Sequence, residues 1–90
     1  MAIEVRIPTI LRPYTQGAKA VEASGSTLAA VVADLDVRYP GIGERLLDEQ
    51  GLRRFVNVYL NDEDVRFLAG LDTPVSDGDS VTILPAVAGG

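Results

Sequence analysis

The residues best suited to chemistry stand at the end of the chain. Ala88-Gly89-Gly90 follow a strand-like run, Ser80-Val81-Thr82-Ile83-Leu84-Pro85, and finish on a glycine carboxylate. Two successive glycines lack Cβ atoms, so their backbone can lie extended in a channel too narrow for other residues. From Ala86 to Gly90 the extended chain reaches about 16–18 Å, at roughly 3.3–3.6 Å per residue. A partner enzyme could thread this tail and act on Gly90 while the globular body stays outside. Gly89, Ala88 and Val87 would then occupy the channel, although a plain spacer role for Val87 and Ala88 fits as well. The dipeptide alone does not decide this, because chain ends commonly fray.

Other candidate groups carry less. Asp62-Glu63-Asp64 offers clustered oxygens of the kind hard cations prefer, yet it lacks the spaced ligands and glycine of a calcium loop. It reads as a solvated hairpin turn. Asp77-Gly78-Asp79 reads as turn chemistry too, with Gly78 supplying a positive φ. The chain has no His and no Cys. It therefore lacks the commonest general base, a thiolate metal site and any thiol that could carry sulfur. No metal site is expected.

Ninety residues, 47% of them hydrophobic, with a formal net charge of −5, describe one acidic domain with a single core. Nothing resembles a membrane span or an export signal, so a cytoplasmic location is expected. Eight scattered basic residues against thirteen acidic ones make duplex nucleic acid a poor partner. By net charge, a basic protein surface is the natural complement.

The elements that must position the tail follow from periodicity. Ile3, Val5 and Ile7 alternate with Glu4 and Arg6 as a half-buried strand. Thr9 to Gly17, with Pro13 inside, predicts a hairpin loop longer than a tight turn, and Ala18 to Glu22 a weaker second strand. Ser26 or Thr27 can cap a helix whose Leu28, Val31, Val32 and Leu35 form one apolar stripe. Tyr39 continues that stripe, and Pro40-Gly41 stop it. Ile42, Leu46 and Leu47 fit a short extra turn before a polar loop at Asp48 to Gly51. Val56, Val58 and Leu60 predict the core face of a third strand, Asn61 to Asp64 a turn, and Val65-Arg66-Phe67 a short returning strand. The last strand sets Val81 and Ile83 on one face against Thr82 and Leu84 on the other. Phe55, Tyr59 and Leu84 project opposite the predicted core as a possible apolar docking patch, with isolated exposed hydrophobes as the equal alternative. Two strands, a crossing helix and further strands predict an α+β mixed sheet of four to five strands, one main helix on one face. If the first and last strands are central and parallel, the tail leaves a rigid scaffold.

The element order, the Asp77-Gly78-Asp79 turn, the strand Val81 to Leu84 and the terminal Gly-Gly together resemble the ubiquitin-like β-grasp sulfur carriers. That family includes the small subunit of molybdopterin synthase and the thiamine-pathway carrier. The resemblance runs most strongly to its cysteine-biosynthesis branch. It does so through Ile7-Pro8-Thr9-Ile10-Leu11-Arg12-Pro13, Phe55-Val56-Asn57, Asn61 to Phe67 and Asp77 to Gly90. Departures lie mainly at Asp48 to Gly51. The resemblance implies a β-grasp domain over residues 1–86 and a flexible Gly-Gly tail over 87–90.

It also implies a cycle. An adenylating enzyme activates the Gly90 carboxylate with ATP, and a sulfur donor displaces AMP to leave a thiocarboxylate. A synthase dependent on pyridoxal phosphate (PLP) then takes up the sulfur in making cysteine, and a metal-dependent peptidase releases the product. ATP, PLP and metal would belong to those partners, and this chain would be a carrier, not a catalyst. The alternatives are a carrier for molybdopterin or thiamine synthesis, or a ubiquitin-like interaction domain whose tail stays an ordinary carboxylate.

Overall fold

In Ile3-Glu4-Val5-Arg6 the apolar side chains point inward and the charged ones outward, the pleat of a sheet with one wet face. This is strand β1 (Ile3–Arg6) of a computed structural model that describes residues 2–49, 51–53 and 56–85. The chain returns antiparallel as β2 (Ala20–Ala23). The connection is more ordered than a hairpin loop. Thr9–Thr15 winds into a 3-10 helix, started by the bond from Leu11 N–H to the Pro8 carbonyl (2.9 Å) and seated by buried Leu11 and Thr15. The Thr15 hydroxyl bridges to the carbonyls of Arg12 and Ala18.

Helix α1 (Leu28–Arg38) begins at Thr27, whose Oγ1 accepts from Ala30 N–H at 3.2 Å, which decides between the two expected caps. Its stripe of Leu28, Val31, Val32 and Leu35 is buried, each residue contributing on the order of 1.5–3 kcal/mol by leaving water. Helix α2 (Ile42–Leu46) is the expected extra turn. The predicted polar loop is instead a small hairpin, β3 (Leu47–Asp48) against β4 (Gly51–Leu52).

Strand β5 (Val56–Leu60) turns at Asn61, which takes a left-handed conformation (φ 55°), so the returning strand starts early, as β6 (Glu63–Asp64). Val65–Phe67, expected to be that strand, coils instead into a 3-10 turn. Asp64 Oδ1 accepts from Arg66 N–H at 2.9 Å and caps the coil. Strand β7 (Ser80–Pro85) follows the Asp77-Gly78-Asp79 turn, where Gly78 has φ 89° as its position requires.

The main sheet runs β2-β1-β7-β5-β6. β7 lies at its centre, parallel to β1 (Val5 opposite Val81) and antiparallel to β5 (Val58 opposite Ile83). One face packs on α1 through Ile3, Val5, Val58, Val81 and Ile83. The α+β mixed sheet and its parallel central pair are therefore as expected, at the upper end of the predicted strand number.

Candidate functional site

A central strand is the stiffest place from which to launch a tail. β7 is paired on both sides from Ser80 to Thr82, and from there β5 alone carries it to Pro85, which faces Val56 across the ladder. The tail residues Val87, Ala88, Gly89 and Gly90, together with Phe55 of the proposed docking patch, lie outside the described residues. What the structure shows is the tail's root.

Opposite residues in an antiparallel pair share a face, so Asn57 with Leu84 and Tyr59 with Thr82 form one outward quartet. Tyr59 is half-buried and Leu84 is 45% exposed. They are diagonal neighbours, with polar Asn57 and Thr82 completing the square. Sequence reasoning missed Ile10, which is 68% exposed and lines the grooves at the root with Leu84 and Pro85. A signal for it existed. In a 3-10 helix that buries Leu11, the preceding Ile10 is turned to the outer side, but recognising this required reading Thr9 to Thr15 as helical.

Two open grooves flank the root. One, of about 670 Å³, is lined among others by Arg6, Pro8, Ile10, Arg12, Lys19 and Leu84. The other, of about 250 Å³, includes Leu11, Arg45, Val56, Ile83 and Pro85. Hydrogen bonds to neutral oxygens orient two of the cations here, Arg12 and Arg45, while Arg6 lies 3.4 Å from Glu4 Oε1. Arg12 Nε donates to the Ile7 carbonyl (3.2 Å), and Arg45 Nε donates to the Tyr14 hydroxyl (2.6 Å) while its guanidinium lies 5.8 Å from the ring centroid. The Tyr14 bond, with the field of Glu44, holds Arg45 even more firmly protonated than usual. On the other side of the root, Arg66 donates to the Val56 carbonyl (2.6 Å), the Arg53 carbonyl (3.1 Å) and Asn57 Oδ1 (2.5 Å). It ties the 3-10 turn to the start of β5.

The acidic clusters are occupied with structure. Asp77 Oδ1 accepts from Ala2 N–H (2.6 Å), and Asp79 accepts from Ser76 N–H (2.8 Å) and Asn61 Nδ2 (3.3 Å). Among the described residues no group of three or more His, Cys, Asp or Glu side chains is placed to hold a metal ion, and no helix is long and apolar enough to cross a membrane. The arrangement is that of a sheet whose central strand, β7, ends at Pro85 between two open grooves.

Known proteins share this platform. The ThiS family matches residues 5–90. Sulfur carrier protein CysO of Mycobacterium tuberculosis (strain ATCC 25618 / H37Rv) is 63% identical over 93 aligned residues, which cover 100% of both chains. A putative sulfur carrier protein of Archaeoglobus fulgidus is 36% identical over 91 residues, again across 100% of both. Among solved structures, the Amycolatopsis orientalis BexX/CysO complex contains a chain that superposes with a TM-score of 0.94 at 57% identity, covering 99% of this chain and 100% of that one.

Proposed function

The chain belongs to the ThiS family, and on that premise we propose that it is a sulfur carrier whose Gly90 carboxylate is the group that carries sulfur. The observation that supports this most is continuity: the similarity to proteins named as sulfur carriers runs through to the final residue. The platform supports it as well, since β7 delivers Pro85 at the end of the sheet and leaves a short reach to Gly90.

The chemistry follows from the weakness of a carboxylate as an electrophile. An oxygen of the Gly90 carboxylate attacks the α-phosphorus of ATP on an adenylating partner, and pyrophosphate leaves. The acyl carbon now carries AMP as a good leaving group. A sulfur nucleophile adds there, AMP departs, and Gly90 retains a C-terminal thiocarboxylate. Gly89, Ala88 and Val87 fill the partner's channel, where a Cβ on either glycine would obstruct passage and restrict φ and ψ. Tyr59 and Leu84, with Phe55, present the apolar area against which a partner seats.

The pathway served is cysteine synthesis, with a PLP-dependent synthase as acceptor of the sulfur and a metal-dependent peptidase releasing the product. This chain is then a protein co-substrate, and ATP, PLP and metal are held by its partners. The test is ATP–pyrophosphate exchange by the adenylating enzyme with the intact chain and with the chain lacking Gly90. Exchange with the first and none with the second is expected; equal exchange with both rejects Gly90 as the reactive group.

A further inference from the structure

The formal charge of −5 conceals a separation of charge along the sheet. Among the described residues, the two grooves at the root of the tail are lined by four cations, Arg6, Arg12, Lys19 and Arg45, and by no carboxylate. An open cleft of about 330 Å³ at the opposite end of β1 and β7 is lined by Glu4, Glu22 and Asp79 and by no cation. Arg6, 3.4 Å from Glu4, marks the boundary. Arg12 and Arg45 donate to a carbonyl and a hydroxyl rather than to a carboxylate, with Glu44 acting on Arg45 through its field alone. Lys19 is exposed. The acidic protein therefore leads with a basic collar around the base of its tail.

We propose that this collar, Arg6, Arg12, Lys19 and Arg45 around Ile10 and Leu84, docks on an acidic rim at the mouth of the adenylating enzyme's tail channel. The proposal rests on the carrier reading above and reverses, for this face, the basic partner surface that net charge alone suggested. Distance selects the rim over the nucleotide. A tail threaded in extended form would set the collar up to about 16–18 Å from the reacting carboxyl, beyond the screening length of about 8–10 Å at moderate salt. The collar's charge is therefore felt at the channel mouth, where the body stops. There it offsets the repulsion that a net-negative carrier would meet on approaching an ATP-loaded enzyme. Complementary charge of this kind acts chiefly on association rate and orientation.

The experiment is stopped-flow association of the full chain with the ATP-loaded adenylating enzyme, in parallel with pyrophosphate exchange, at 50 and 300 mM salt. Lys19→Glu and Arg12→Glu/Lys19→Glu are compared with Glu22→Lys/Asp62→Lys at the far end, circular dichroism confirming that each is folded. The collar variants should associate on the order of 10-fold more slowly at low salt, with the deficit shrinking at high salt. The far-end variant should change little, although it alters net charge more than Lys19→Glu alone. Lys19→Glu carries the test if the double variant fails to fold. An unchanged association rate in the collar variants, where the wild type supports exchange, overturns the collar and leaves the carrier reading intact. Absence of exchange with the wild type overturns both. If the reversals slow only the later sulfur transfer, or only abolish self-association seen by sedimentation, the occupant is a downstream enzyme or a second copy, and the assignment to the adenylating enzyme is wrong.

Discussion

Gly90 can react as proposed only if the space around its carboxylate is clear. Threading demands a terminus no wider than backbone, so adding a single bulky residue after Gly90 should abolish ATP–pyrophosphate exchange while leaving the circular dichroism spectrum and melting temperature unchanged. Normal exchange by the extended chain would refute threading. A second residue-scale prediction concerns Asp34. Its Oδ2 accepts from Ser24 N–H at 2.8 Å and from Arg38 Nε at 2.7 Å. The Ser24 bond first, with help from Arg38 and against partial desolvation, holds the Asp34 carboxyl below its ordinary value of 3.8. A folded-state pKa lower than the unfolded one stabilises at pH above the unfolded value, and the benefit is lost as pH falls through the folded one. Urea denaturation across that acidic range should therefore show a shallower loss of stability for Asp34→Asn than for the wild type, and a lower stability for the variant at neutral pH.

Among the elements, the junction of β2 with α1 is the tightest. A Cβ built on Gly25 would lie 2.7 Å from Val31 N and 2.8 Å from the Ala30 Cβ, neither of which can yield without moving the helix. Gly25→Ala should destabilise by about 1–3 kcal/mol, as overpacking does, read from the urea midpoint; no shift would mean that α1 sits more loosely on the sheet than its buried stripe requires. Elements with a strong period were legible beforehand: β1, β5, β7 and the stripe from Leu28 to Leu35 follow from alternation or helical spacing alone. The misses share a cause. Thr9–Thr15, Val65–Phe67 and the β3–β4 hairpin are short segments shaped by side-chain to backbone bonds, such as Thr15 to Ala18 and Asp64 to Arg66, and by a left-handed Asn61. No periodicity records those. The site divides similarly. The central strand from which the tail departs could be read from periodicity and order, whereas Ile10 and the cationic grooves arise only when residues as far apart as Arg6, Arg45 and Leu84 are brought to one end of the sheet.

At the scale of the whole molecule, a sheet with β7 at its centre and a division of charge between its two ends would, as proposed, together deliver a chain end to other proteins in a defined orientation. A carrier that works as proposed needs no catalytic side chain, because its reactive atom would be the carboxyl carbon of Gly90. The account therefore stands on whether sulfur is found there. The direct measurement is intact mass after incubation with the adenylating enzyme, ATP and a sulfur donor. The mass should rise by the exchange of one oxygen for one sulfur, with fragmentation placing the change on Gly90 and none seen in the chain lacking that residue. An unchanged mass under conditions where the enzyme converts an established carrier, or a sulfur located elsewhere in the chain, would contradict it.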